Sequence, residues 1–387
     1  MTVEVRPLGV KCNIQCQYCY QNPQRDAGAV LHRYDLDMIK KAIAGLGVPF
    51  SVFGGEPLLM PVDDLEALWS WGFDRFGRNS LQTNGTLITN RHLDLFKRYN
   101  VRVGISIDGP GAFNDIRWAG TERLTRAATA KTEAAIGRLC DSGLTPGLIV
   151  TLHRNNATAD KMDALLDWLK KLALLGIRSV RLHLLEVEDS EIRDRYRLTD
   201  TENTAALLFL ASHVNDIRPI RLSMFEDIKR LLQGNDQKAS CVWKGCDPYT
   251  TRAVQGIDGN GQRSNCGRTN KDGIDFVKGD QAGYERYLAL YHTPRAFGGC
   301  SGCRFFAMCK GQCPGTAIDG DWRNRTEYCD VWTSIFEHFE AELQRANRWV
   351  LSRSEQRLKV EATLVDAWAR GRNPSLTEAT REVTASQ

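Results

Sequence analysis

Between residues 3 and 235 the chain alternates short apolar runs with longer amphipathic stretches. The runs VEVRPLGV, VPFSVFG, NSLQTNG, VRVGISI, LTPGLIVTL and IRSVRLHLL each have the length and composition of a buried strand. Between them, LDMIKKAIAGL at 36–46, DDLEALWSWGF at 63–73 and DALLDWLKKLALL at 163–175 have helical periodicity. In the last, Leu165, Leu166, Leu169, Leu172 and Leu175 recur at helical spacing. Strand–helix alternation predicts an α/β fold with a parallel sheet and right-handed crossovers. Six such units fall short of the eight of a closed barrel. Periodicity alone leaves a doubly wound sheet and a partial barrel both open. Beyond residue 235 the alternation stops, and Gly, Asp, Asn and Cys dominate 241–330. Such a segment cannot build a large core, so metal clusters would have to supply its cross-links. The stretch VWTSIFEHFEAELQRANRWVLSRSEQRLKVEATLVDAWA predicts one or two helices, and RGRNPSLTEATREVTASQ predicts a polar, frayed end.

Composition narrows the function. The 387 residues are 42% hydrophobic, enough for one large domain and a smaller one. The net charge of +4 is spread over both signs, which argues against nucleic acid as a partner. No stretch approaches the ~20 apolar residues that span a bilayer, and the N-terminus lacks a signal-peptide pattern. A cytoplasmic protein without a membrane partner is expected. Twelve cysteines are many for a reducing compartment, where disulfides do not persist and clustered cysteines read as metal ligands. Three lie at 12–19, eight lie between 241 and 329, and Cys140 stands alone behind Ile136 and Leu139, where it reads as a small core residue.

The first cluster, KCNIQCQYCY, holds Cys12, Cys16 and Cys19 directly after the first strand run. Three thiolates can hold three irons of a [4Fe–4S] cluster and leave the fourth iron open. On spacing alone, a zinc site completed by a distant ligand fits as well. The segment CNIQCQYC, however, resembles the signature of the radical SAM superfamily. In that family the open iron chelates S-adenosylmethionine (SAM), and reductive cleavage yields a 5′-deoxyadenosyl radical. Tyr18, just before the third cysteine, is typical and is expected near the adenine. Phe53-Gly54-Gly55-Glu56-Pro57 resembles the motif that holds the SAM amino group. Asn84 of Gln82-Thr83-Asn84-Gly85, and Ser106 and Asp108 of Ser106-Ile107-Asp108-Gly109, fall where the family contacts the SAM carboxylate and ribose. Arg117, Arg123 and Arg126 are candidates to pair with that carboxylate, and Leu184 sits in the run whose backbone would read adenine. The resemblance covers roughly residues 5–190 and implies a partial (β/α)6 TIM-like barrel.

The second cluster resembles the SPASM extension of radical SAM enzymes, with two auxiliary [4Fe–4S] clusters and so three in all. Cys300, Cys303, Cys309 and Cys329 would hold the cluster far from SAM. Cys246, Cys266 and Cys313 would hold the nearer one, with Cys241 as the natural fourth ligand. If Cys241 ligates, both are closed and serve electron transfer; if not, one iron is open to substrate. Two zinc knuckles are the alternative. The expected organisation is a radical SAM barrel at 1–235, a SPASM domain at 236–335, and a C-terminal helical segment at 336–387.

SPASM proteins modify peptides, so the resemblance implies a maturase that cross-links a ribosomally made precursor peptide by thioether, C–C or C–O bonds. The alternative is an anaerobic sulfatase-maturating enzyme that forms formylglycine. In that branch an aspartate follows the cysteine matching Cys266; here Gly267 follows it. Base candidates are Asp108, His153, His183 and Glu186. Only eleven residues precede Cys12, so a separate leader-binding protein is a candidate partner, beside an external reductant such as flavodoxin or ferredoxin. A zinc-ribbon scaffold and an iron–sulfur electron carrier without SAM chemistry are the other readings.

Overall fold

The computed structural model describes residues 2–28, 33–187, 189–247, 254–269 and 284–385. The chain divides into two compact units, Met1–Ser223 with Val254–Asp275, and Met224–Ala253 with Phe276–Gln387.

In the first unit the six expected runs become β1 (Thr2–Arg6), β2 (Phe50–Val52), β3 (Asn79–Thr83), β4 (Val101–Ser106), β5 (Gly147–Leu152) and β6 (Ser179–Leu184). They pair in parallel in chain order, each with the next. A doubly wound sheet reverses its order at a switch point; here nothing reverses, so the order is that of a partial barrel. A short β7 (Arg221–Leu222) extends the β6 edge. Two further strands, β8 (Val254–Asp258) and β9 (Arg263–Ser264), extend the β1 edge, β8 in parallel and β9 antiparallel. The text from 241 on gives no hint of them, because five residues with Gln and Gly inside make no apolar run.

The helices fall where the periodicity puts them, at Leu36–Leu46, Val62–Phe76 and Met162–Leu174. The first starts at Asp35, whose carboxylate accepts from the Asp37 and Met38 amides, and stops at Gly47 in the left-handed region. Their apolar faces pack on one side of the sheet: Ile39, Ile43, Leu65, Leu68, Leu165 and Leu169 are fully buried, as are Val3, Val5, Ile105 and Val150 of the strands. Each contributes about 1.5–3 kcal/mol relative to exposure. The alternate strand positions, among them Gln82, Ser106 and His183, are left for the other face.

The second unit has an aromatic core. Trp243 packs edge-on against Trp332 and Phe336 at 5.3 and 5.5 Å, and Trp368 packs on Tyr287 at 4.8 Å. The expected helical stretch becomes Cys329–Arg345 and Arg357–Ala369. The polar end is not frayed: Leu376–Ala385 is a helix with Leu376, Ala379 and Val383 buried. Ser375 and Glu378 form reciprocal bonds at its start. Asp236 accepts from the Leu376 and Thr377 amides at 2.9 and 3.2 Å. An acid 140 residues away supplies this cap, so no local window contains it. Cys140 is also corrected: it is half-buried at the end of the helix Glu122–Asp141 rather than in the core.

Candidate active site

The cysteine loop leaves the end of β1 and is held by the segments after β2, β3 and β4. Behind β2, the Gly55 amide donates to the Gly9 carbonyl at 3.0 Å and the Glu56 amide to the Lys11 carbonyl at 2.8 Å. A Cβ on Gly54 would stand 2.5 Å from the Gly9 oxygen, and one on Gly55 2.1 Å from the Lys11 oxygen. Only glycine permits that approach. Glu56 is buried and accepts from the Leu58 amide, the Asn84 amide and the Thr83 hydroxyl at 3.0, 2.8 and 2.7 Å. It thereby joins the ends of β2 and β3. Pro57 opens the short 3-10 turn that follows. The Asn84 amide group donates to Asn13 Oδ1 at 2.8 Å and lies 3.9 Å from Cys12 Sγ.

Asp108, after β4, is fully buried. It accepts from the Tyr18 hydroxyl at 2.6 Å and the Thr151 amide at 2.9 Å. Arg117 Nη1 stands 2.7 Å from the Tyr18 oxygen and 3.9 Å from Asp108, and His153 Nε2 stands 3.6 Å from Asp108. Burial pushes the Asp108 carboxyl up, but Arg117, His153 and Tyr18 outweigh it and hold it below the usual carboxylate range. The tyrosine between two cysteines is thus pinned to the strand end behind it.

Cys12, Cys16 and Cys19 line one cavity with Gly54, Gly55, Asn84, Ser106, Arg117, Leu184 and Tyr18. Burial pushes the Cys16 thiol up to about 12; Arg117 opposes this, and Cys19 and Cys12 add to it. Such thiols give up their protons to a metal rather than to water at neutral pH. Three soft donors lining one cavity with two glycines that leave the backbone open fit a cluster with one free iron.

The lining also includes His183, Glu186, Gln21 and Arg268. Arg268 donates to Glu186 Oε1 at 2.9 Å and lies 2.8 Å from His183 Nδ1. Burial, then Arg268 and Arg181, hold His183 well below its ordinary value. Its imidazole is therefore neutral, and since Nδ1 accepts from Arg268, the ring proton is assigned to Nε2.

Some expected residues are not on this cavity. Asp108, His153, Glu56 and Pro57 are buried and do not line it. Arg123 is exposed on the helix Glu122–Asp141, and Arg126 pairs with Asp115 at 2.7 Å, so of the three arginines Arg117 alone lines the cavity. Arg25, Gln21 and Arg268 went unnoticed in the sequence. Arg25 Nη2 lies 3.9 Å from Cys19 Sγ. Its position six residues past Cys19, and that of Arg268 two past Cys266, were the available signals.

In the second unit Cys300, Cys303, Cys309 and Cys329 line a small pocket walled by Phe305, Phe306, Trp332 and Phe336. Burial raises Cys309 well above its ordinary range, with Cys300, Cys329 and Cys303 adding to the effect. These four cysteines share one pocket, as the ligands of a closed four-thiolate cluster would. Cys241, Cys246 and Cys313 belong to this unit and Cys266 to the first.

Among the described residues no helix is long and apolar enough to cross a membrane. Residues 7–169 match the radical SAM superfamily. A serine-type anaerobic sulfatase-maturating enzyme from Bacteroides thetaiotaomicron is 33% identical over 126 residues, which is 29% of this chain and 30% of that protein. The chain spans half or less of the length of the curated sulfatase-maturating relatives it first matches. Two solved structures share the fold. One is anSMEcpe with AdoMet and a peptide bound, with a TM-score of 0.67 and 17% identity over 89% of this chain and 98% of the other. The other is Streptococcus suis SuiB with S-adenosylmethionine, with a TM-score of 0.55 and 14% identity over 85% and 76%. The cysteine loop, the glycine pair beside it and the strand ends around it therefore fall in residues 7–169, the part of this chain that matches the radical SAM superfamily.

Proposed function

We propose that the chain is a radical SAM enzyme that oxidises a peptide, and that it joins two side chains of a ribosomally made precursor by a thioether, C–C or C–O bond. The observation that carries the reading is the convergence of Cys12, Cys16 and Cys19 with Gly54, Gly55 and Asn84 on one cavity. A [4Fe–4S] cluster held there by the three thiolates would supply reductive cleavage of SAM and with it a hydrogen-abstracting radical. The chain's own residues do the rest. Tyr18, fixed by Asp108 and Arg117, holds the loop rigid against the strand ends. Leu184 and Ser106 line the walls on which the cosubstrate would lie.

Of the four base candidates, His183 and Glu186 reach the cavity. His183 is neutral with its proton on Nε2, so it donates there and cannot accept. Glu186, oriented by Arg268, is the group we assign to take the proton as the new bond forms. Glu186→Gln should leave SAM cleavage running and abolish peptide conversion. Cys300, Cys303, Cys309 and Cys329 would hold one auxiliary cluster, and two such clusters would accept the surplus electron and pass it to an oxidised external carrier.

A sulfatase-maturating role is the second reading, favoured by the 33% identity over 126 residues. Against it stands Gly267, where a Cβ would come 2.9 Å from the Tyr20 ring, so no aspartate fits without movement. The test is anaerobic reconstitution followed by SAM, dithionite and candidate peptides. Formation of 5′-deoxyadenosine, loss of two hydrogens from a peptide and fragments in which two side chains stay joined support the cross-link; a serine oxidised to formylglycine also loses two hydrogens but yields a trappable aldehyde. Formylglycine supports the second reading. Iron-loaded protein that leaves SAM intact overturns both, and colourless zinc protein would leave a scaffold.

A further inference from the structure

Arg286 is the second residue of the helix Glu285–His292 and is 0% exposed. All five of its guanidinium hydrogen bonds go to backbone carbonyls: Trp322 at 2.6 Å, Gly245 at 3.0 Å, Lys310 at 3.3 Å, Gly311 at 3.4 Å and Asn324 at 3.0 Å. That exhausts the donors of an arginine. Its hydrogen bonding is complete, yet no carboxylate among the described residues pairs with it. The neighbouring cation, Lys310, has its own carboxylate in Asp236 at 3.7 Å. A fully buried, unneutralised cation is costly enough that proteins supply a counter-charge.

The segments Arg286 ties together are three of those that carry or lead to the cysteines of this unit. Gly245 precedes Cys246, Lys310 and Gly311 lie between Cys309 and Cys313, and Trp322 and Asn324 lead towards Cys329. Burial opposes its charged form, and the groups close enough to favour that form are Cys246, Cys313, Tyr287 and Cys300, three of them thiols. Neutral thiols would not balance the charge, whereas metal-bound thiolates would.

We propose that Arg286 is the counter-ion of the iron–sulfur centre or centres of the cysteine-rich unit, a positioning residue that holds three ligand-bearing segments together and raises the reduction potential of what they bind. This rests on the reading that the unit binds iron–sulfur clusters. It does not depend on which peptide bond is made. Removing a positive charge beside a cluster disfavours the more negative, reduced state, so the potential falls.

The test uses the full chain with Cys12, Cys16 and Cys19 replaced by alanine, leaving only the second set of sites. Arg286→Gln and Arg286→Lys are made in that background and reconstituted anaerobically. Iron, sulfide and the midpoint potential by EPR-monitored titration are then measured. The expected result is Lys matching the parent in iron and potential, with Gln either shifted to a lower potential or losing iron that Lys keeps. Gln with full iron and an unchanged potential overturns the assignment. So do Lys and Gln losing iron or solubility equally, because the side chain then only tethers. A parent that binds no iron overturns the cluster reading itself.

Discussion

Asp108→Asn tests how the cysteine loop is anchored. The carboxylate is fully buried, takes the Tyr18 hydroxyl at 2.6 Å and the Thr151 amide at 2.9 Å, and faces Arg117 and His153 at 3.9 and 3.6 Å. The amide keeps an acceptor for Thr151 but leaves Arg117, whose side chain is 10% exposed, without its anion. Breaking a buried pair in this way costs about 3–5 kcal/mol, and the retained acceptor places the loss near the lower end, about 3 kcal/mol. With a urea dependence of about 3 kcal/mol per molar, the midpoint of the first unit should fall by about 1 M. The pH dependence has a defined sign. Asp108 is depressed in the folded state, so its contribution is present above the unfolded carboxylate value of about 3.9 and is lost as pH falls through the folded value. The gap between wild type and variant should be constant from about pH 6 to 8 and close in acid. Asp115→Asn, at the exposed pair with Arg126, should cost less than about 1 kcal/mol. Urea titrations followed by circular dichroism at several pH values decide it. A variant within 1 kcal/mol of wild type at pH 7, or a gap that persists in acid, would refute the reasoning.

Gly55→Ala puts a methyl 2.1 Å from the Lys11 carbonyl oxygen and should cost about 2–3 kcal/mol and the iron held by the tripod, read by thermal melting and iron analysis. Gly45→Ala, on the open face of a helix with nothing within 4 Å, should instead stabilise by about 0.5–1 kcal/mol. Asp236→Ala removes the acceptor for two amides of the last helix and should cost about 1–2 kcal/mol, seen as faster proteolysis after Asn373. Lys310 and those amides outweigh burial and depress Asp236, so wild-type protection should likewise fade as pH drops through its folded value.

The strands and helices of the first unit were legible because each buries its own periodic face, and Leu36–Leu46 matched to the residue. What the text hid was whatever depends on distant partners. The helix at 376–385 looks polar because its cap, Asp236, is in another segment. Strand β8 was hidden because its neighbour β1, and not its own composition, makes it a strand. Within the site, spacing displayed the thiols and glycines, but it could not tell Arg117, which lines the cavity, from Arg126, which Asp115 takes. Glu56 and Asp108 read as ligand contacts; both are instead buried struts whose oxygens are occupied by the protein itself.

The first unit is not a continuous piece of gene. Its β1 edge is covered over five residue pairs, Thr2 to Arg6, by a strand that returns only at Val254. A truncation after Ser223 would keep all seven earlier strands and the three-thiol loop, yet leave β1 as a bare ladder open to pairing with other chains. It would also delete Arg268 from the cavity wall. The barrel half of this protein therefore cannot be dissected out by a single cut.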